Sequence, residues 1–398
     1  MRTSSILDSS ARKILFWTHL AVGCLAGGVI LIMSVTGVLL AYKRQITSWS
    51  DHTAHRISPP GSTRLAMESM LAPIIGRQHA TPSAITLRSD PSVPAEVSFG
   101  RDHVFLIDPS TGDVLGESSP ALRAFFQKIE DWHRWLGADT EHRPTLRAIT
   151  GACNFGFLLL AISGPFLWMP RKWSWRSVKA AALFRGGLSG RARDFNWHNT
   201  IGIWCAIPIA AITLTGVVMS YPWANDLLYR LAGNAPAPQG GGRGGAEGAG
   251  RAGRGGPDLA GLNALWARAE QQVPAWRSIS VRALGRGPVA FTIDTGDGGR
   301  PDLRSQLTLD RRTADVVRWE PFSSYNTGRR LRSWFRFLHT GEAGGIAGET
   351  IASVASTGGA VLVWTGICLA IRRFFRWRTR KSRTAKPVES ESAAPVSV

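Results

Sequence analysis

Four stretches of the chain, Ile14–Tyr42, Ala148–Pro170, Phe195–Asn225 and Thr350–Ile371, contain no Asp, Glu, Lys or Arg. Each is mostly apolar and at least 22 residues long, enough to cross about 30 Å of hydrocarbon as a helix. The pattern predicts transmembrane helices over 14–42, 146–170, 195–223 and 347–371. Between them the period shortens. Ala84–Leu87, Glu96–Phe99 and Val104–Ile107 read as strands leading into the turn Asp108-Pro109-Ser110-Thr111-Gly112, and Ser278–Leu284, Val289–Ile293 and Gln306–Leu309 repeat the pattern. The predicted fold is therefore a membrane protein of four transmembrane α-helices, with α+β domains in the two long loops.

Charge changes the picture next. The 398 residues hold 47 Lys and Arg against 28 Asp and Glu, a net charge of +19. Such an excess is typical of nucleic-acid binders, but here it is segregated by the spans. The arm, 1–13, carries Arg2, Arg12 and Lys13 against Asp8. The short loop 171–194 carries seven basic residues against Asp194 alone, and the tail, 372–398, eight against Glu389 and Glu391. Short Lys/Arg-rich segments stay in the cytoplasm. Both termini and loop 171–194 are thus expected there, with the long loops 43–145 and 224–346 outside, and no nucleic-acid partner is expected. The first apolar run is too long for a cleavable signal, and no small-residue cleavage site follows it. Cys24, Cys153, Cys205 and Cys368 all fall within predicted spans and form no disulfide framework in the loops.

The chain also reads as two copies of one unit, that is, two repeated helix pairs. His19, Gly23, Thr36, Gly37 and Tyr42 match His198, Gly202, Thr215, Gly216 and Tyr221 at an offset of 179. The loop segment Ile107–Val114 matches Leu309–Val316 at 202, and Ser163-Gly164 matches Thr365-Gly366 at the same offset. The increase equals the length of the Gly/Arg-rich run 234–256, which reads as a flexible insertion. Copies of two spans each keep one orientation, so they should relate by an axis along the membrane normal.

Four of the nine histidines occupy matched places. His19 and His198 open spans one and three; His133 and His339 precede spans two and four. Facing pairs of imidazoles at each membrane end would supply both axial ligands of a haem iron. Gly23, Gly202 and Gly137 lie four residues after their histidines and Ala343 takes that place after His339. On a helix that position shares the histidine's face, where only a small side chain leaves room for a flat macrocycle. The first copy has four more residues than the second between His133 and Ser163, an interval that includes His142, the alternative ligand for the outer pair. His52, His55, His79 and His103 read as solvated loop residues, and Asp51-His52 with His55 is a weak metal pattern. The expected cofactor is haem b, two per chain. No catalytic acid, base or nucleophile is expected beyond it.

The two H-x16-TG spans, the motifs Trp132-His133-Arg134-Trp135-Leu136-Gly137 and Leu338-His339-Thr340-Gly341-Glu342, and the Asp108–Gly112 turn together resemble one family. It comprises bacterial inner-membrane proteins with PepSY domains and PepSY-associated transmembrane helices. The resemblance covers nearly the whole chain except the Gly/Arg run and the tail. It implies PepSY-like periplasmic domains and a di-haem b protein of iron acquisition that reduces ferric siderophores. Some members are fused to flavoprotein reductase domains. The 27-residue tail holds no such domain, and no G-x-G-x-x-G follows a predicted strand. Ala314, where the first turn has Gly112, suggests a degenerate second PepSY copy.

The expected function is thus reduction of an iron(III) chelate, a ferric siderophore, in the periplasm, with electrons carried across the bilayer from an unidentified donor (a quinol or a cytoplasmic or flavin reductase). Arg329, Arg330, Arg332, Trp334 and Arg336 lie beside His339, where an anionic chelate would dock. Two alternatives are a non-enzymatic, membrane-anchored PepSY binding or regulatory protein, and a haem electron-transfer subunit serving another periplasmic acceptor. A transporter or channel would want a carboxylate or Lys within the spans, and the four uncharged stretches have none.

Overall fold

The computed structural model describes residues 9–54, 63–100, 103–169, 174–236, 259–282 and 287–384. The chain begins with α1 (Ser9–Ala41), α2 (Lys43–Ala54) and α3 (Met67–Gln78), followed by strands β1 (Ala84–Arg88), β2 (Ala95–Phe99), β3 (His103–Ile107) and β4 (Val114–Glu117). Next come α4 (Pro120–Trp135), α5 (Arg143–Trp168), α6 (Trp175–Ala182), α7 (Gly190–Ser220), α8 (Pro222–Leu231) and α9 (Leu262–Gln272). Strands β5 (Ser278–Arg282), β6 (Val289–Asp294), β7 (Arg304–Leu309) and β8 (Val316–Pro321) precede α10 (Thr327–Thr340) and α11 (Gly345–Thr384). These elements form two compact units. One contains the chain to Ser34, Cys153–Ala210 and the chain from Ala355; the other contains Val35–Ala152 and Ala211–Val354.

The first unit is helical. Its outward side chains are apolar: Leu25 is 87% exposed, Ile207 82%, Trp204 68% and Trp364 64%. In water such a surface would drive association, whereas in hydrocarbon it needs no cover. Among the described residues, four helices are long and apolar enough to cross a membrane, within Ser10–Asp51, Arg143–Trp168, Gly190–Ser220 and Glu342–Thr379. Inside the unit, small residues bring helices close. A methyl group on Gly358 would meet Cys205 Sγ at 2.6 Å, and one on Gly359 would meet Phe157 at 3.1 Å. Close approach of this kind replaces the hydrophobic drive that lipid removes. Cys24, Cys153, Cys205 and Cys368 are free thiols.

The helices run further than the uncharged stretches. α7 begins before Asp194, which is 3% exposed, and α11 begins before Glu349, which is 1% exposed. Span-end carboxylates are therefore present, and the reading that the spans hold none is corrected. Cationic and amide partners make them tolerable at a helix end. Arg193 and Arg372 contact Asp194. In the second unit, Gln45 Nε2 donates to Glu349 Oε2 at 2.5 Å, and Arg44 stands 4.0 Å from Oε1.

The second unit holds one eight-stranded antiparallel sheet, ordered β4-β3-β2-β1-β5-β6-β7-β8. The two long loops therefore contribute to a single sheet rather than to two separate ones. The central strands alternate: Ile85 and Leu87, Val97, Ile279 and Val281, Phe291 and Leu307 face inward, all fully buried. Met70, Leu71 and Ile74 of α3 and Leu262, Leu265, Trp266 and Ala269 of α9 cover that face. The sheet is joined at its centre by β1 and β5, where Thr86 pairs with Ser280 and their hydroxyl oxygens are 3.0 Å apart. Outward from this pair the strand order reads alike on both sides.

The hairpin turns after β3 and β7 also correspond. The backbone N–H of Asp108 donates to Asp113 O, and that of Asp310 to Asp315 O, at 2.9 and 2.8 Å. Gly112 (φ 77°) and Ala314 (φ 59°) both adopt the left-handed conformation. The second turn thus keeps the form of the first at the expense of placing a Cβ where glycine is preferred.

Candidate cofactor site

The candidate ligands gather within each unit. In the first, His19 of α1 and His198 of α7 are half-buried. His19 Nδ1 lies 2.7 Å from Ser163 Oγ, and His198 Nδ1 lies 3.0 Å from Thr365 Oγ1. These hydroxyls have only one proton each. Ser163 donates its proton to Leu160 O, and Thr365 donates to Val361 O, as helical Ser and Thr commonly do. Each therefore accepts from the imidazole Nδ1–H. That assigns the tautomer, with the Nε2 lone pair free to bind a metal.

In the second unit, His133 near the end of α4 and His339 near the end of α10 face one another. Their ring centroids are 6.4 Å apart and their planes are inclined by 65°. Two metal–imidazole bonds of about 2 Å, with about 1 Å from each nitrogen to its ring centre, span about 6 Å. The observed separation fits one metal between them. His133 Nδ1 lies 2.9 Å from Thr36 Oγ1. His339 Nδ1 lies 2.9 Å from Ile212 O and 3.3 Å from Thr215 Oγ1. A carbonyl only accepts, and Thr215 already donates to Ala211 O, so Nδ1–H is again the donor. Burial pushes the His339 pKa below the ordinary imidazole range and so favours the neutral ring, against the opposing pull of the Ile212 carbonyl, which favours the charged one.

All four imidazoles are thus oriented through Nδ1 by a hydroxyl on a neighbouring helix, the outer shell that fixes a metal-ligating histidine. Ser163, Thr365, Thr36 and Thr215 are these partners, the same residues that mark the repeat along the chain. The signal was available: each is a Ser or Thr followed by Gly. Two of those glycines clear space for the rings. A methyl on Gly366 would lie 3.3 Å from His198 Cε1, and one on Gly164 would lie 3.9 Å from His19 Cε1.

The glycines at the fourth position divide into two groups. Gly23 lies inside α1 with nothing within 4 Å of a Cβ built there, and Gly202 lies inside α7 facing Leu362 at 3.6 Å. Gly23 leaves the open face that a flat macrocycle needs, and Gly202 keeps a small face against Leu362. Gly137 and Ala343 do not have this role. α4 stops at Trp135; Leu136 and Gly137 turn left-handed (φ 51° and 77°), and the Gly137 N–H caps Asp131 O. A Cβ on Gly137 would strike the Trp132 indole at 2.9 Å. α10 ends at Thr340 with Gly341 as its left-handed cap, so Ala343 sits beyond the helix. Both are corrections of the same kind: the helix ends before the i+4 position.

Other sequence candidates lie elsewhere. His142 is 64% exposed and bonded to Asp139, away from the His133–His339 pair. His79 is exposed at a helix end, and His103 is exposed beside Glu117. The side chains of His52 and His55 lie outside the described residues; among the described residues no group of three or more His, Cys, Asp or Glu could hold a metal ion. The arginines beside His339 are largely engaged: Arg329 pairs with Glu320 and lies over Tyr325, Arg332 donates to Asn225, and Arg336 approaches Glu342.

Four long apolar helices, a β-sheet unit and two histidine pairs describe a helical membrane protein with candidate cofactor sites. The chain belongs to the family defined by the PepSY-associated TM region, whose pattern matches residues 16–373. No curated protein matches it.

Proposed function

We propose that this protein is a bacterial inner-membrane di-haem b oxidoreductase that delivers electrons to a ferric siderophore, an iron(III) chelate, in the periplasm. The observation that carries this reading is the matched set of four histidines whose Nδ1 atoms are held by hydroxyl or carbonyl oxygens. For His19 and His198 the Nδ1–H tautomer leaves the Nε2 lone pair to bind a metal. Bound haem would supply one-electron transfer at each pair.

The protein's own groups do the positioning. Ser163 and Thr365 hold the rings of His19 and His198, while the small faces of Gly23 and Gly202 admit a macrocycle beside them. Thr36, Thr215 and the Ile212 carbonyl hold His133 and His339. The basic loop 171–194 and tail support a cytoplasmic position for both termini, which puts the sheet in the periplasm. Thr86 pairing with Ser280 at the centre of a symmetrically ordered sheet supports a chain built from two helix-pair repeats. Arg330, which donates to the Ser323 carbonyl and lies over Phe322, adds positive charge where an anionic chelate would dock.

The test is a spectrum. Detergent-solubilised protein should show reducible, six-coordinate b-type haem, two per chain. Reduced protein should be reoxidised rapidly by a ferric siderophore and not by its iron-free form. Colourless protein that takes up no haem refutes the reading.

A further inference from the structure

A cavity of about 290 Å³ lies between α7 and α11 within the first unit. Trp197, Trp364, Ala360 and Val361 make its apolar walls, Arg193 and Asp194 its polar end, and Thr365 also lines it. All of these residues belong to candidate membrane spans. Thr365 is the residue whose hydroxyl holds His198 Nδ1 at 3.0 Å. A molecule in this cavity is therefore one hydroxyl group away from a candidate ligand.

The polar end is built. Asp194 is 3% exposed; its Oδ1 accepts from Arg193 Nε and Nη2 at 3.1 and 2.9 Å, and Arg372 Nη2 stands 3.2 Å from Oδ2. Trp364 and Trp197 are 64% and 42% exposed, so the cavity opens sideways between indoles on the apolar surface. A site reached through such a surface selects a lipid-soluble molecule. The indoles suit a flat ring. The carboxylate can accept from a phenolic O–H, and Arg193 can donate to a ring oxygen. The volume suits a single ring and is small for a dinucleotide or a flavin nucleotide.

We propose that this cavity binds a membrane-soluble hydroquinone, the electron donor for the reduction proposed above; the inference rests on that reading. Oxidation breaks the two O–H bonds of one hydroquinone and yields the quinone, two protons and two electrons. The protons pass in turn to the Asp194 carboxylate and from it to water. The two electrons reduce two iron(III) chelates to iron(II).

The test uses purified full-length protein with duroquinone and duroquinol as probes. Ala360→Phe fills the cavity, Trp364→Leu removes one wall at a surface position, and Ile371→Phe is a control on the same helix. Equilibrium dialysis measures duroquinone binding, and stopped-flow absorbance measures reduction by duroquinol. Wild type and Ile371→Phe should bind and be reduced. Ala360→Phe should lower both binding and rate at least tenfold, and Trp364→Leu should weaken binding, with haem content and dithionite reduction unchanged. Reduction by dithionite but not duroquinol, or equal binding and rate in Ala360→Phe, overturns the proposal and leaves the haem reading intact. Haem-free protein that still binds duroquinone in an Ala360-dependent manner would retain the quinone site and refute the reductase reading. Duroquinone binding that added phospholipid abolishes would assign the cavity to an acyl chain and overturn the proposal.

Discussion

The imidazoles of His133 and His339 face one another with centroids 6.4 Å apart, although they approach from the ends of two different helices, α4 and α10. His142, nine positions after His133, is exposed and tied to Asp139. Replacing His133 with Ala should therefore remove one of two haems, while His142→Ala should leave the haem content unchanged. Pyridine haemochrome quantification of both variants decides between them. Loss of haem in His142→Ala alone would break the pairing.

The hydroxyls behind the rings should tune affinity without supplying a ligand. Thr365→Val keeps the shape and removes the oxygen that accepts from His198 Nδ1–H. Losing such an outer-shell partner commonly weakens metal binding about 10–100-fold. Haem titration of Thr365→Val should show that loss at one of two sites, and Thr365→Ser should restore it. Ser163→Ala should act alike through His19. A full-affinity Thr365→Val protein would make the hydroxyl incidental.

Two glycines that look equivalent along the chain should respond differently. Gly23→Leu meets open space, so the fold should be kept and haem excluded at the first pair. Gly137→Ala meets the Trp132 indole at 2.9 Å and requires φ 77°, so it should destabilise the end of α4 by about 1–2 kcal/mol. Circular-dichroism melting together with haem content separates these outcomes. Lower stability in Gly23→Leu with haem retained at both pairs would reverse the assignment.

The turn after β7 offers a gain. Ala314 sits at φ 59° in the place that Gly112 fills in the first turn, and the same backbone bonds close both turns. Relieving a left-handed alanine recovers about 1 kcal/mol, less the added freedom of glycine when unfolded. Ala314→Gly should raise the melting temperature of the sheet slightly. A lower melting temperature would show that the strain lies elsewhere.

What the residues revealed in advance follows from range. The long uncharged stretches announce helices because lipid demands an internally satisfied backbone over their whole length. The strands show because period-two burial repeats within a few residues, as at Ile85 and Leu87. The joining of both loops into one sheet was not legible. It depends on β1 meeting β5, a contact between Thr86 and Ser280 that no local pattern encodes. The histidine–hydroxyl partners share that limitation, since Ser163 lies 144 residues from His19. The end of α4 is hidden for another reason: Leu136 is an uncommon left-handed residue, so the helix stops without a conventional signal until Gly137, whereas Gly341 marks the end of α10 in the ordinary way.

Glu130 offers a pH-dependent test of how α4 is held. Lys43 Nζ donates to its Oε2 at 3.3 Å and Arg134 Nη1 to its Oε1 at 3.0 Å. Burial pushes this carboxyl up, but the two cations prevail and hold it below the ordinary glutamate value. A carboxyl with a folded pKa below its unfolded one stabilises the fold fully above the unfolded value, near 4.5. That contribution fades as the pH falls through the lower, folded value. Wild type should therefore melt higher than Glu130→Gln at pH 7, and the gap should close as the pH is lowered from about 5 toward 3. His133 lies one turn further along α4, so the outer haem should loosen over the same range in wild type and show less of this dependence in Glu130→Gln. Parallel melting curves for the two proteins at every pH would show that the Lys43–Glu130 contact does not hold the helix.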